Sequence, residues 1–165
     1  ESVYRKIHLY DAQGFKESKK LMAGNIIEKP TTTSVGKLGL LICYDMRFPE
    51  ICRILTINGA KILVCPSAWV AGFMKREHWQ IMLKARAIEN GVYVIAPDQL
   101  GHIYCGHSMV IDPYGTTLVD MENREGMQFI DIDISRIDTI RSTLPLLKNR
   151  RTDVYKNYVE VFESA

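Results

Sequence analysis

The chain has 165 residues and a mass of 18.9 kDa, enough for one domain to bury a core without disulfide or metal staples. Apolar residues make up 47% and charged residues 24%, a balance that excludes a disordered polyelectrolyte. The net charge of +2 argues against nucleic acid or an anionic membrane as partner, and no apolar run approaches the roughly 18 residues of a membrane span.

In chain order, residues 3–9 alternate apolar and polar side chains and predict a strand, followed by turn chemistry at 11–14 and a polar loop over 15–25. Residues 31–35 and 37–43 form a hairpin-like pair around Gly36, with 39–43 apolar throughout and expected to be buried on both faces. Pro49 opens a helix over 50–58 that turns Ile51, Ile54 and Leu55 inward and stops at Gly59. Residues 61–66 and 92–96 read as buried strands. Between them, 75–90 is the longest helix, striped by Trp79, Met82, Leu83 and Ile88 and closed by Asn90-Gly91.

Residues 108–111 and 116–119 flank Asp112-Pro113-Tyr114-Gly115, a strong hairpin signal. A last alternating strand over 127–134 leads into a short helix at 135–142 and a basic tail. Strand–helix alternation from 37 to 96 argues for an α/β layer structure, and the later hairpin makes its sheet mixed. The expectation is one domain over residues 1–165.

The four cysteines, Cys43, Cys52, Cys65 and Cys105, contain no C-x-x-C pair. Free thiols in a reducing compartment, by default the cytoplasm, are expected, with no metal and no other cofactor. Cys43 closes a buried strand just before a sharp entry into a helix. Such a place fixes a nucleophile, exposes its side chain and aims backbone N–H groups at a developing oxyanion. A lysine and a helix N-terminus nearby would lower the thiol's pKa. From pattern alone an inert core thiol is the other reading.

Resemblance bears on that choice. The string Gly39-Leu40-Leu41-Ile42-Cys43-Tyr44-Asp45-Met46-Arg47-Phe48-Pro49-Glu50 resembles the nucleophile motif of the nitrilase superfamily, the carbon–nitrogen hydrolases. Tyr4-Arg5-Lys6-Ile7-His8-Leu9 is similar to that family's lysine motif, and Phe15-Lys16-Glu17-Ser18 to its acidic loop. Pro66-Ser67-Ala68-Trp69, His78-Trp79, Arg86-Ala87-Ile88-Glu89-Asn90, Gly106-His107-Ser108 and Asp112-Pro113-Tyr114-Gly115 follow in the family's order.

The resemblance implies a four-layer α-β-β-α sandwich and hydrolysis of amide carbon–nitrogen bonds through a cysteine thioester. By position, Cys43 is the nucleophile and Lys6 stabilises the oxyanion together with the N–H of Tyr44. Glu17 positions the lysine and substrate. Tyr44-Asp45 after the cysteine is similar to the amidase branches, and the whole run to the omega-amidase group, which acts on short amides bearing a distal carboxylate.

Arg47 either contacts that carboxylate bidentately or pairs with a buried acid. Trp69, beside Ala68, either lines the pocket or packs in the core. His78 and His107 are expected to satisfy buried hydrogen bonds, and Glu89 to be an ion-pair partner.

The family's general base is a glutamate far upstream of the lysine motif, and five residues precede Lys6. With Glu1 as first residue, the chain is therefore expected to be the carboxyl-terminal part of a longer protein, lacking the N-terminal third of the family fold. The expected partners are a small amide, the missing segment, and a second copy in a homodimer or larger oligomer. A non-catalytic scaffold of the same fold is the alternative from another class. Nucleic-acid binding through Lys148-Asn149-Arg150-Arg151 is the weakest.

Overall fold

The computed structural model describes residues 2–101 and 103–158. The apolar stretches become a sheet: β1 (Thr31–Thr33), β2 (Gly36–Leu40), β3 (Ile62–Val64) and β4 (Tyr93–Ala96). β2, β3 and β4 are parallel, joined by the crossover helices α1 (Pro49–Ile57) and α2 (Lys75–Asn90). β1 pairs antiparallel to β2 at one edge. After a two-stranded ribbon, β5 (Leu100–Gly101) with β6 (Tyr104–Cys105), β7 (Met109–Ile111) joins β4 antiparallel. β8 (Thr117–Asp120) closes the order β1-β2-β3-β4-β7-β8. α3 (Ser135–Thr143) and α4 (Thr152–Tyr155) complete the described elements.

Side-chain alternation along the strands divides two cores. On one face Leu63, Val94, Met109 and Ile111 meet Leu55 of α1 and Trp79, Leu83 and Ala87 of α2. Each large side chain buried there contributes about 1.5–3 kcal/mol. Gly39 permits the approach of α1, since a side chain there would crowd Leu55, Ala60 and Leu63. On the other face Ile62 and Tyr93 meet Ile137 of α3, with Val64 and Ile95 partly covered.

The mixed sheet with covering helices matches the expected class, and the helix and buried-strand assignments hold to within a few residues at their ends. Among the described residues there is one large sheet; the second sheet of a four-layer sandwich is not formed by them.

Residues 3–9 are not a strand. Among the described residues they have no ladder partner; the Tyr4, Lys6 and His8 side chains and the His8 N–H bond instead to carboxylates. Residues 127–134 likewise join no sheet among the described residues. Met127 and Phe129 are 77% and 80% exposed, so half the alternation has no surface to bury against. Residues 39–42 alternate buried and half-buried and Cys43 is half-buried, instead of the run being buried on both faces. In the helices Ile54 and Ile88 point outward. Of the expected α2 stripe, Trp79 and Leu83 are buried and Met82 packs partly buried against the core, while Ala87 takes the inward place of Ile88. The β5–β6 ribbon and α4 were not legible as elements, being two and four residues long.

Candidate active site

The carboxyl ends of β2, β3 and β4 converge, as they do around ligands in parallel sheets. Cys43 lies just past the end of β2, where its N–H donates to the Pro66 carbonyl at 3.1 Å. It then opens a 3-10 turn, Cys43–Arg47. Its φ of +48° is left-handed, a conformation a side chain rarely adopts and one that stores strain at a sharp strand-to-helix turn. Tyr44 follows it in the first turn, where an N–H has no acceptor within the helix.

Burial pushes the Cys43 thiol above its usual pKa; the Ala68 N–H and the Lys6 charge pull it back without prevailing. The expectation of a lowered thiol pKa is therefore corrected. Cys43 is half-buried, and a five-residue turn plus one lysine does not offset the desolvation.

Lys6 and Glu17 face Cys43 across a cavity of about 520 Å³, walled also by Tyr10, Ser67, Ala68 and Tyr104. Lys6 Nζ donates to Glu17 Oε2 at 2.6 Å, and the same oxygen accepts the Tyr10 N–H at 2.7 Å. The lysine side chain is 9% exposed, against the solvated edge lysine that isolated pattern would suggest. Gly24 lies so close that its N–H reaches the Lys6 carbonyl at 2.8 Å, and any side chain there would strike the Arg5 carbonyl.

Asp45 fixes this lysine-bearing segment to the nucleophile turn. Fully buried, it accepts from the Tyr4 hydroxyl (2.7 Å), the Ile42 N–H (3.0 Å), the His8 N–H (3.0 Å) and His8 Nδ1 (2.8 Å). His8 also stacks on Phe48 at 3.7 Å between ring centres. Desolvation and the adjoining Asp45 push the Tyr4 hydroxyl's pKa up, so it stays a donor. From the other side Arg86 of α2, buried, donates through Nε to the Met46 carbonyl and through Nη2 to that of Arg47. Sequence reasoning missed Asp45 and Arg86 as supports. An acid two positions past the cysteine, inside an apolar run, was the available signal.

The remaining candidates lie on the other side of Cys43. Arg47 has no acid partner among the described residues; its guanidinium carbon sits 4.6 Å from the Trp69 ring centre and 5.9 Å from that of Tyr44. The buried-acid reading of Arg47 therefore fails within the described residues. Trp69 serves both roles once left open: it is 3% exposed, packs on Trp79, and lines a small gap with Tyr10, Cys43, Tyr44, Arg47, Ala68 and Lys75. Lys75 was not singled out from the sequence.

Asp98, past the end of β4, accepts the Trp69 N–H through Oδ1 at 2.7 Å, while its Oδ2 is buried without a partner. Burial pushes its pKa up to about 6. His107 pairs with Asp120 at 2.8 Å and Glu89 with Arg86 at 3.1 Å, both as expected, whereas His78 is exposed rather than buried. Among the described residues no three His, Cys, Asp or Glu side chains cluster to hold a metal ion, and no helix is long and apolar enough to cross a membrane. The cysteines are all free.

The carbon-nitrogen hydrolase family model matches residues 1–142. The chain is 39% identical to the putative protein YbeM of Escherichia coli K12, covering 90% of this chain and 79% of that one. It is 41% identical to deaminated glutathione amidase of Bos taurus, covering 94% of this chain and 50% of the relative. A carbon-nitrogen hydrolase from Helicobacter pylori superposes with a TM-score of 0.89 at 32% identity, over 96% of this chain and 61% of that structure. An amidase variant from Nesterenkonia, whose active-site cysteine carries the acetamide moiety of fluoroacetamide, superposes with a TM-score of 0.76 at 26% identity, over 94% and 55%. The chain thus spans half to four-fifths of the length of these proteins.

Proposed function

Since the chain belongs to the carbon–nitrogen hydrolase family, we propose that it carries the nucleophile end of an amidase that cleaves small, carboxylate-bearing amides through a thioester on Cys43. The observation that carries this reading is the strained, left-handed Cys43 facing one cavity with the Lys6–Glu17 pair. The cysteine-bound adduct in the Nesterenkonia structure and the deaminated glutathione amidase relatives support the same chemistry.

In this mechanism the Cys43 thiol yields its proton to a base as sulfur attacks the amide carbonyl carbon. The carbonyl oxygen takes the electron pair and is met by the Lys6 ammonium and the Tyr44 N–H. Such preorganised donors are worth about 3–4 kcal/mol. Collapse expels the amine, which leaves with the proton held by the base, and a thioester remains. A water then gives a proton to the same base, attacks the thioester and releases the acid and the thiol. Glu17 holds Lys6 aimed at the reacting carbonyl. Because burial raises the thiol's pKa, the base is indispensable.

We assign that base, by the family resemblance, to a glutamate upstream of Lys6, in a segment that also completes the four-layer sandwich. Arg47 reads the substrate's carboxylate and Ala68 and Trp69 wall the acyl group. The protein acts in the cytoplasm and as a homo-oligomer. With an amide and hydroxylamine together, the whole protein should release hydroxamate from the thioester, and the Cys43→Ala variant none. A soluble, folded protein without turnover on any short amide would favour the scaffold reading.

A further inference from the structure

Arg47 and Lys75 stand on the same side of Cys43 and share one aromatic box. Lys75 is 6% exposed, with its ammonium 5.0 Å from the Tyr10 ring centre and 5.6 Å from that of Trp69. Among the described residues its ammonium makes one hydrogen bond, to the Tyr10 hydroxyl at 3.0 Å. An ammonium has three donors, so two remain open. Arg47 has five donors and one long contact, to Met82 Sδ at 3.9 Å. No carboxylate lies within ion-pair range of either among the described residues.

The placement of Lys75 is costly in two further ways. It is the first residue of α2, where the positive end of the helix dipole repels a cation. It also follows Met74, held in the left-handed region at φ +57°. A buried, unpaired ammonium at a helix N-terminus is an arrangement that folding alone disfavours. An incoming anion would offset the unpaired charge and the repulsion from the helix dipole. Between the two cations and Cys43 lies a gap of about 20 Å³, room for one water. The same Tyr10, Tyr44, Arg47 and Lys75 wall a further cavity of about 200 Å³ beyond it.

We propose that Lys75 is a specificity-determining residue that, together with Arg47, holds one carboxylate of the substrate behind the nucleophile. This rests on the amidase reading for its place in catalysis but not for the anion site itself. Trp69 and Tyr10 hold the two cations apart at fixed positions, so the carboxylate replaces the water-sized void and takes donors from both. The bridging contact selects amides whose carboxylate lies a short chain away from the carbonyl.

Two measurements on the whole protein test it. The first compares kcat/KM for glutaramate, which bears a carboxylate, with that for neutral pentanamide. Lys75→Met should lower the glutaramate value roughly 10–100-fold, through KM, as expected for a charged hydrogen bond, and the pentanamide value several-fold less. Lys75→Arg should restore most of it. Equal losses on both amides, or a melting point lowered with the discrimination intact, would overturn the proposal.

The second measures succinate binding by calorimetry in the Cys43→Ala background, where no turnover is needed. Lys75→Met should weaken it by about tenfold or more, and unchanged affinity would overturn the anion site. Succinate binding that depends on Lys75 in a protein without amide turnover would sustain the site and remove the amidase reading instead.

Discussion

On one side of Cys43 a cation is compensated, and on the other side two are not by any described residue. Lys6 is locked at 2.6 Å on Glu17, whose same oxygen is held by the Tyr10 N–H. Arg47 and Lys75 rest on aromatic faces with open donors. Aromatic faces repay part of a cation's desolvation, about 0.5–2 kcal/mol, but supply no counter-charge. A paired lysine is preorganised, so it meets a charge that develops during reaction without rearranging. An uncompensated pair waits for a charge that arrives with the ligand. The same residue type therefore does different work according to whether an acid stands beside it.

The largest expected effect breaks the comparison at its centre. Cys43→Ala should reduce amide hydrolysis by at least about 10⁴-fold. Its melting temperature should shift little, because the side chain is half-buried in a strained turn. Lys6→Met should cost about 10²–10³-fold in kcat, the value of one oxyanion donor. Glu17→Gln, which keeps an acceptor but not the charge, should cost nearer tenfold. If Glu17→Gln matched Lys6→Met, Glu17 would have a part in chemistry beyond holding the lysine.

Asp45→Asn sharpens the contrast from the structural side. It would turn an amide NH₂ either toward the Tyr4 hydroxyl and the Ile42 N–H, which both donate to Oδ2, or toward the His8 N–H, which donates to Oδ1. We expect a loss of about 2–4 kcal/mol, read as a melting point lower by roughly 5–15 °C, with turnover falling because the Lys6 segment loosens.

Asp98 behaves in the opposite sense. Its carboxyl is pushed up to about 6, so folding favours the protonated form. That stabilisation is full below about pH 4, the unfolded value, and is lost as pH rises through about 6. Asp98→Asn keeps an oxygen for the Trp69 N–H and removes the charge. Its melting point relative to the parent should therefore climb between pH 4 and 7 and level off above, and a constant difference would contradict the assignment. The charge of Asp98 also raises the Cys43 thiol's pKa, so the variant should alkylate with iodoacetamide faster at pH 8.

Smallest is the pattern of alkylation among the thiols. Cys43 and Cys105 are half-buried, whereas Cys52 and Cys65 are buried. Burial pushes the Cys52 thiol up to about 12 and raises the fully buried Cys65 as well. Cys43 should label ahead of Cys52 and Cys65, increasingly as pH rises above neutral, and Lys6→Met should slow it.

How much of this was legible follows from which interactions leave a periodic trace. The β2–α1–β3–α2–β4 succession is written in apolar runs and in Pro49, Gly59 and Gly91, because each element buries its own face. Residues 3–9 alternate just as convincingly and form no strand. Their alternation encodes side-chain attachments of Tyr4, Lys6 and His8 to two carboxylates, Asp45 and Glu17, 11 to 41 positions away. Cys43, Lys6 and Glu17 were legible through motif resemblance. Lys75 was not, since a lysine opening a helix looks like a solvated one until burial and an absent acid are seen. The raised Cys43 thiol was misjudged for a related reason. Motif spacing reports the neighbouring charge and is silent on desolvation, the stronger effect here.

The central claim is that Cys43 carries the acyl group. The direct measurement is intact-mass and peptide mass spectrometry of the whole protein quenched in acid during turnover of a short carboxylate-bearing amide. The account predicts an added acyl mass on the peptide containing Cys43, diminished in Lys6→Met and absent in Cys43→Ala. Acylation at another residue, or undiminished hydrolysis by Cys43→Ala, would contradict it.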